Sequence, residues 1–133
     1  MKFRVFPVFF VVELLSVLYY TRGMEQKVQT ELDMLKDIII KTLPVEKIIL
    51  FGSFAYGTPH KDSDLDLYVV LKEGIDMKEM DAVDVFRQAV LRKKTMPLDL
   101  IVGRYSVYQR RKTWPSIERY ITNNGVVIYE SVS

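Results

Sequence analysis

Two aspartates that stand two positions apart in an apolar segment are the residues of this chain best suited to chemistry. Asp64 and Asp66 alternate with Leu65 and Leu67. Because successive side chains of a β-strand point to opposite faces, we expect both carboxylates on one face and both leucines on the other. Carboxylates within an apolar strand are costly unless a cation compensates them, and such a pair can lean together onto one or two divalent ions. The pattern indicates a metal site.

A third aspartate occurs in a later apolar segment. Residues 97–102, PLDLIV, predict a strand that begins with proline, a position where the missing N–H group is tolerated. The leucines would share one face and leave Asp99 on the other. A lone aspartate in such a run could be an edge residue that faces water. With Asp64 and Asp66 on a neighbouring strand, completion of an acidic cluster is the better explanation.

A short strand and a glycine-containing turn precede the first two aspartates. Residues 48–51, IILF, are rich in β-branched side chains and stop at Gly52, which is typical of an interior strand. Gly52 and Ser53 then begin a turn where the backbone can come close to a ligand, because glycine has no Cβ atom.

These residues together form a recognisable pattern. Gly52-Ser53, Ala55 and Gly57 match G-S-x-A-x-G, and the residues SDLDL at 63–67 match S-D-x-D-L. The chain from about residue 24 to 130 resembles the DNA polymerase β-like nucleotidyltransferases, and most closely their minimal single-domain members (MNT). The resemblance implies an α/β (α+β) fold in which helices flank a small mixed β-sheet.

The resemblance also assigns roles to the residues of the pattern. Three aspartates would be catalytic and would bind two Mg²⁺ ions: Asp64, Asp66 and Asp99. Three small residues would bind the nucleotide: Gly52, Ser53 and Ser63. The first two aspartates would ligate both ions, and the third would complete the ion that lowers the pKa of the acceptor hydroxyl. The turn would hold the β- and γ-phosphates, the acceptor would attack the α-phosphorus, and pyrophosphate would leave.

The function implied by the resemblance is transfer of a nucleoside monophosphate, most simply AMP from ATP, to a hydroxyl group. Minimal members pair with HEPN-domain proteins and act as the antitoxin of a toxin–antitoxin pair, either by adding AMP to the partner or by covering it. Antibiotic-modifying relatives transfer to a small-molecule hydroxyl instead. Many minimal members carry arginine at the position of Tyr56, so a weaker triphosphate contact is expected here. The complete set of aspartates favours the enzyme.

Composition excludes several other classes of protein. The 133-residue chain is long enough for one domain and contains no cysteine, so disulfides, zinc–thiolate sites and thiol nucleophiles are excluded. Its net charge of +2 is too small to imply nucleic-acid binding by itself. We expect a cytoplasmic protein that takes ATP or another NTP and does not enter a membrane; oligomerisation is left open. His60, the single histidine, is expected to be exposed and without a role.

The N-terminal residues 1–23 differ from the rest of the chain. They open with two basic residues and then run apolar, but the run is interrupted by Pro7 and Glu13 and is shorter than the roughly 20 residues that span a bilayer. A signal peptide, an apolar extension that packs on the domain, and a start codon assigned too far upstream all fit, and we favour the last. We therefore predict an extension over residues 1–23 and a nucleotidyltransferase domain over residues 24–133.

Helical patterns supply the remaining elements. Apolar residues at spacings of three and four predict an amphipathic helix over residues 25–43. A second helix is predicted over residues 77–94, capped through Asp76 and Glu79, with Met80 and Leu91 directed towards the core. A third helix would begin after Thr113 as its N-cap and bury an apolar face formed by Ile117, Tyr120 and Ile121. Residues 126–129 would form a last strand.

Overall fold

The computed structural model describes residues 25–132, which form a four-stranded β-sheet with helices on both faces. In chain order the elements are α1 (Gln26–Thr42), β1 (Val45–Phe51), α2 (Ser53–Tyr56), β2 (Leu65–Leu71), α3 (Glu79–Val90), β3 (Leu98–Arg104), α4 (Tyr105–Arg111), α5 (Ile117–Asn124) and β4 (Val126–Glu130). The predicted extension over residues 1–23 lies outside the described residues. No helix within residues 25–132 is long and apolar enough to cross a membrane.

The sheet is mixed, with strand order β3-β2-β1-β4. Strand β1 pairs antiparallel with β2 on one side and with β4 on the other, whereas β2 and β3 are parallel. A parallel pair needs a crossover connection, and α3 supplies it between β2 and β3. The predicted α/β (α+β) class, a small mixed sheet flanked by helices, is confirmed.

The larger core lies between one face of the sheet and helices α1 and α3. On α1, Leu32, Leu35 and Ile39 are fully buried, at the spacing that the sequence predicts for the inner face of this helix. The sheet contributes Leu65 and Leu67, which are also fully buried. The predicted first helix is therefore confirmed to within a residue at each end.

Helix α3 is shorter than predicted, and part of its predicted core face is wrong. It runs from Glu79 to Val90, and its N-cap residue, Lys78, makes no side-chain capping hydrogen bond, so the predicted cap through Asp76 does not form. The residues that α3 buries are spaced four apart: Ala82, Phe86 and Val90. Met80 is instead 72% exposed, because it lies two positions before this buried row and so on the opposite side of the helix. Leu91 is also exposed, since it follows the last helical residue.

Helix α5 begins later than predicted and exposes most of its predicted apolar face. Its N-cap is Ser116, whose Oγ accepts a hydrogen bond from the backbone N–H of Arg119, whereas the Thr113 hydroxyl donates to the Arg110 carbonyl at the end of α4. Of the predicted apolar side chains, Ile121 is buried and Tyr120 is 51% exposed. Helix α5 therefore contacts the sheet through a narrower stripe than its sequence indicates.

A buried carboxylate holds α5 against the second face of the sheet. Glu118 accepts a hydrogen bond from the hydroxyl of Tyr68 on β2 at 3.0 Å and another from Nε of Arg111 at 2.7 Å. Burial alone would raise the pKa of Glu118, but the hydrogen bonds from Arg111 and Tyr68 outweigh it and lower the pKa below its ordinary value of 4.5. Burial and the neighbouring Glu118 carboxylate raise the pKa of Tyr68.

We predict that Glu118→Gln lowers the free energy of unfolding by about 1–2 kcal/mol at neutral pH, because charged hydrogen bonds become neutral ones. The pKa of Glu118 is lower in the folded state than in the unfolded chain. Its contribution is therefore complete above about pH 5 and is lost as the pH falls through the folded-state pKa. Urea unfolding of both proteins at pH 7 and pH 3.5 measures this, and a difference in stability that does not shrink in acid would contradict it.

Candidate active site

Two of the three predicted carboxylates stand directly opposite each other on neighbouring strands. The parallel register of β2 and β3 pairs Asp66 with Asp99, on the sheet face that also carries Tyr68. Asp64 was predicted to lie within this strand, but β2 begins at Leu65, one residue after it. The backbone N–H of Leu65 donates to the Pro97 carbonyl at 2.9 Å, which ties the start of β2 to the start of β3.

The three aspartates interact electrostatically. The pKa of Asp66 is raised from 3.8 to about 6, first by burial and then by the negative charges of Asp99 and Asp64. Within residues 25–132, however, no group of three or more His, Cys, Asp or Glu side chains already converges closely enough to hold a metal ion. The carboxylates are thus close enough to oppose one another's charge but do not form a closed set of ligands.

The turn after β1 comes into close contact with Asp66. Gly52 has φ of 76°, a conformation that side chains other than glycine rarely adopt. A Cβ atom added there would lie 2.0 Å from Oδ2 of Asp66, so only glycine leaves room for the carboxylate. The predicted turn is a single helical turn in the structure, α2, in which the Gly52 carbonyl accepts hydrogen bonds from the N–H groups of Ala55 and Tyr56. Ser53 is its first residue.

Ser63, the third residue of the predicted nucleotide-binding set, closes the loop that leads to Asp64. It is buried, its Oγ accepts a hydrogen bond from the His60 N–H at 2.8 Å, and its own N–H donates to the His60 carbonyl. The side chain of His60 is exposed, as predicted. The Ser63 hydroxyl therefore already has a hydrogen-bond partner within its own loop.

Tyr56, the position at which a weaker triphosphate contact is expected, interacts with Asp66 and contacts Tyr120, which was not predicted as part of the site. The rings of Tyr56 and Tyr120 meet edge to face with their centroids 6.0 Å apart. Burial, followed by the neighbouring Tyr120 and the charge of Asp66, raises the pKa of Tyr56 to about 12, so the Tyr56 hydroxyl is neutral at physiological pH. Tyr120 has a helical spacing typical of a core residue, and no signal in the sequence placed it beside the aspartates.

The comparison with known protein families agrees with the pattern of residues. The chain belongs to the nucleotidyltransferase domain family, whose family model matches residues 32–128 and so includes all three aspartates. A protein of Methanocaldococcus jannaschii with the provisional name protein adenylyltransferase MJ0604 is 29% identical over 85 residues, which are 64% of this chain and 79% of that protein. The chain is a nucleotidyltransferase.

Two solved structures are also similar in outline. A crystal structure of a provisionally named nucleotidyltransferase from Sulfolobus solfataricus is 22% identical, with a TM-score of 0.48, and the match covers 80% of this chain and 89% of that chain. A crystal structure described as the toxin-antitoxin with AMP-PNP is 18% identical, with a TM-score of 0.45, and the match covers 76% of this chain and 73% of that chain.

We predict that Gly52→Ala destabilises the protein more than Gly57→Ala does. Both glycines have a positive φ, of 76° and 77°, so both substitutions carry the backbone cost of about 1 kcal/mol. Only the Gly52 variant also displaces Asp66, since nothing lies within 4 Å of a Cβ atom at Gly57. We expect an additional loss of about 1–3 kcal/mol for Gly52→Ala, measured by urea unfolding. Equal losses for the two variants would show that the close approach to Asp66 is not a constraint.

Proposed function

We propose that this nucleotidyltransferase is a Mg²⁺-dependent adenylyltransferase that modifies a hydroxyl of a protein partner, with three aspartates as its catalytic residues: Asp64, Asp66 and Asp99. The observation that carries the proposal is the register that sets Asp66 opposite Asp99, beside a turn that has no side chain at Gly52. Carboxylates from two strands and an open backbone turn are what a site for a metal-bound triphosphate requires.

The chemistry of the carboxylates fits magnesium. Their ligand atoms are hard oxygens, which Mg²⁺ prefers. The pKa of Asp66 is raised first by burial and then by the negative charges of Asp99 and Asp64, and a bound cation would offset both effects. When bound, Mg²⁺ would supply positive charge that stabilises the triphosphate and lowers the pKa of the acceptor hydroxyl. Asp64 and Asp66 would hold it from the start of β2, and Asp99 from β3.

Proton acceptance and nucleotide binding are assigned to different residues of the proposed site. The side chain of Asp99 is exposed, so its carboxylate oxygens are accessible to an acceptor hydroxyl and can receive the proton that this group releases. Gly52 and Ser53 offer backbone to the β- and γ-phosphates without a Cβ atom in the way at the first position. Ser63 keeps the loop before Asp64 closed and contributes to nucleotide binding through this loop.

Adenylyl specificity and a protein acceptor are supported by the relative from M. jannaschii, whose name states a protein adenylyltransferase. The resemblance to minimal nucleotidyltransferases supports a HEPN-type partner in a toxin–antitoxin pair. Because the reaction consumes ATP, we place it in the cytoplasm. A second candidate function is that of an antitoxin that neutralises its partner by covering it. Tyr56 favours this candidate, because its side chain is uncharged and a cation at this position would help to bind the triphosphate.

We predict that the protein transfers label from α-labelled ATP to the product of the adjacent reading frame in the presence of Mg²⁺. Asp64→Asn should reduce the rate at least about 100-fold, because a carboxylate that binds the metal is lost. Asp62→Asn is a matched control: it removes an exposed aspartate of the same loop and should leave the rate unchanged. Tight binding of the partner without transfer by the wild-type protein would support the covering mechanism and contradict the enzymatic one.

We further predict that Asp66→Asn raises the free energy of unfolding by about 1–2 kcal/mol in the absence of divalent ions, because it removes a charge that burial and two carboxylates oppose. Millimolar Mg²⁺ should raise the melting temperature of the wild-type protein and not that of the variant, since ligands that bind only the folded state stabilise it. Asp37→Asn, at an exposed site on α1, serves as the control. The same Mg²⁺ response in Asp66→Asn as in the wild-type protein would argue against a metal site at this carboxylate.

A further inference from the structure

A buried glutamate of α1 binds the segment that leads into β3. Glu31 is 5% exposed. Its Oε2 accepts hydrogen bonds from the backbone N–H of Thr95 at 2.7 Å and of Met96 at 3.2 Å, and its Oε1 accepts one from the Thr95 hydroxyl at 2.9 Å. One carboxylate thus holds two successive residues of a connection that lies 64 positions away in the chain.

The position of Glu31 in α1 is one where an apolar side chain would be expected. It lies three residues after Val28 and four before Leu35, both of which are buried. A carboxylate in such a place is costly unless hydrogen bonds compensate it. Among the described residues, none of the ion pairs involves Glu31. Its compensation therefore comes from the 95–96 segment, so burial of the carboxylate and the position of that segment depend on each other.

The connection that leads to the Glu31 contact is weakly anchored up to residue 95, whereas Met96 is partly buried against the larger core. Residues 91–95, between α3 and β3, are all exposed, and the N–H groups of Lys93 and Lys94 bond only back to the Val90 carbonyl. Immediately after the Glu31 contact, the Pro97 carbonyl accepts the hydrogen bond from Leu65 that joins the starts of β3 and β2. The path from Glu31 to the acidic cluster is short, because Asp99 lies two residues beyond Pro97.

We propose that Glu31 is a positioning residue for the metal-binding carboxylates: it fixes the entry to β3 and thereby holds Asp99 in register with Asp66. This inference rests on the proposed function, since it assumes that the two aspartates bind a divalent ion. Without the contact, the exposed connection is free to shift, and the two carboxylates, which repel each other, separate. The metal affinity of a site commonly falls when the hydrogen bonds that hold its ligand residues in place are removed.

The test measures the affinity of the full-length chain for Mn²⁺ in the absence of nucleotide and partner. The concentration of free Mn²⁺ is determined by electron paramagnetic resonance. Glu31→Ala should weaken Mn²⁺ binding about tenfold. Glu31→Gln, whose amide oxygen still accepts one backbone hydrogen bond, and Thr95→Val, which removes the hydroxyl donor alone, should each weaken it less. These milder variants keep the test decisive if Glu31→Ala does not fold.

Ile39→Val is the matched control, because it removes one methylene from a fully buried residue of the same helix, about two turns beyond Glu31. It should lower stability and leave Mn²⁺ affinity unchanged. If the Glu31 variants lose stability but bind Mn²⁺ as the wild-type protein does, Glu31 is only a structural contact and the inference is overturned. If the wild-type protein binds no Mn²⁺, or if Asp99→Asn binds it equally well, the proposed function itself fails.

Discussion

The structure depends on keeping carboxylates together at the start of two parallel strands in spite of their mutual repulsion. Asp66 and Asp99 face each other across β2 and β3, and Asp64 adds a third negative charge. Burial of apolar side chains on the opposite face of the same strands opposes this cost. Leu65 and Leu67, the neighbours of Asp66, are both fully buried, and each such side chain contributes about 1.5–3 kcal/mol to folding. Because side chains alternate along a strand, β2 carries the aspartate charge on one face and buries leucines on the other, and this burial offsets the cost of the charge.

The two faces of the sheet have different roles as a result. The face covered by α1 and α3 carries the larger apolar core, whereas the face that holds the carboxylates has a smaller cluster around Ile49, Tyr68 and Ile121. On this second face a polar contact reinforces the packing: Glu118 joins α5 to Tyr68 and to Arg111 on α4. Helix α5 in turn brings Tyr120 against Tyr56, beside the carboxylates. The side chains that α5 and α2 bring together next to the proposed site are therefore aromatic and uncharged.

Local patterns predicted the elements better than they predicted the exposed faces. The spacing of Leu32, Leu35 and Ile39 identified α1 because the whole row is buried under one sheet. Met80 and Tyr120 have comparable spacing, but both are exposed, since α3 and α5 contact the sheet through a narrower stripe. Periodicity states which residues share a side of a helix; it does not state how wide the contact with the next layer is. The caps of α3 and α5 were misplaced for a related reason, because several polar residues precede each helix.

The amino-acid sequence alone determined the alternation of Asp64 and Asp66 with leucines, the strand around Asp99 and the turn at Gly52, because these follow from side-chain types a few residues apart. Tertiary structure decided that Asp66 stands opposite Asp99, that Gly52 touches Asp66, and that Glu31 holds the 95–96 segment. These three facts depend on strand register and on contacts between residues far apart in the chain. A local pattern shows which residues of one strand share a face, but the residue that stands opposite on the next strand is settled only when the paired strands bury a common face.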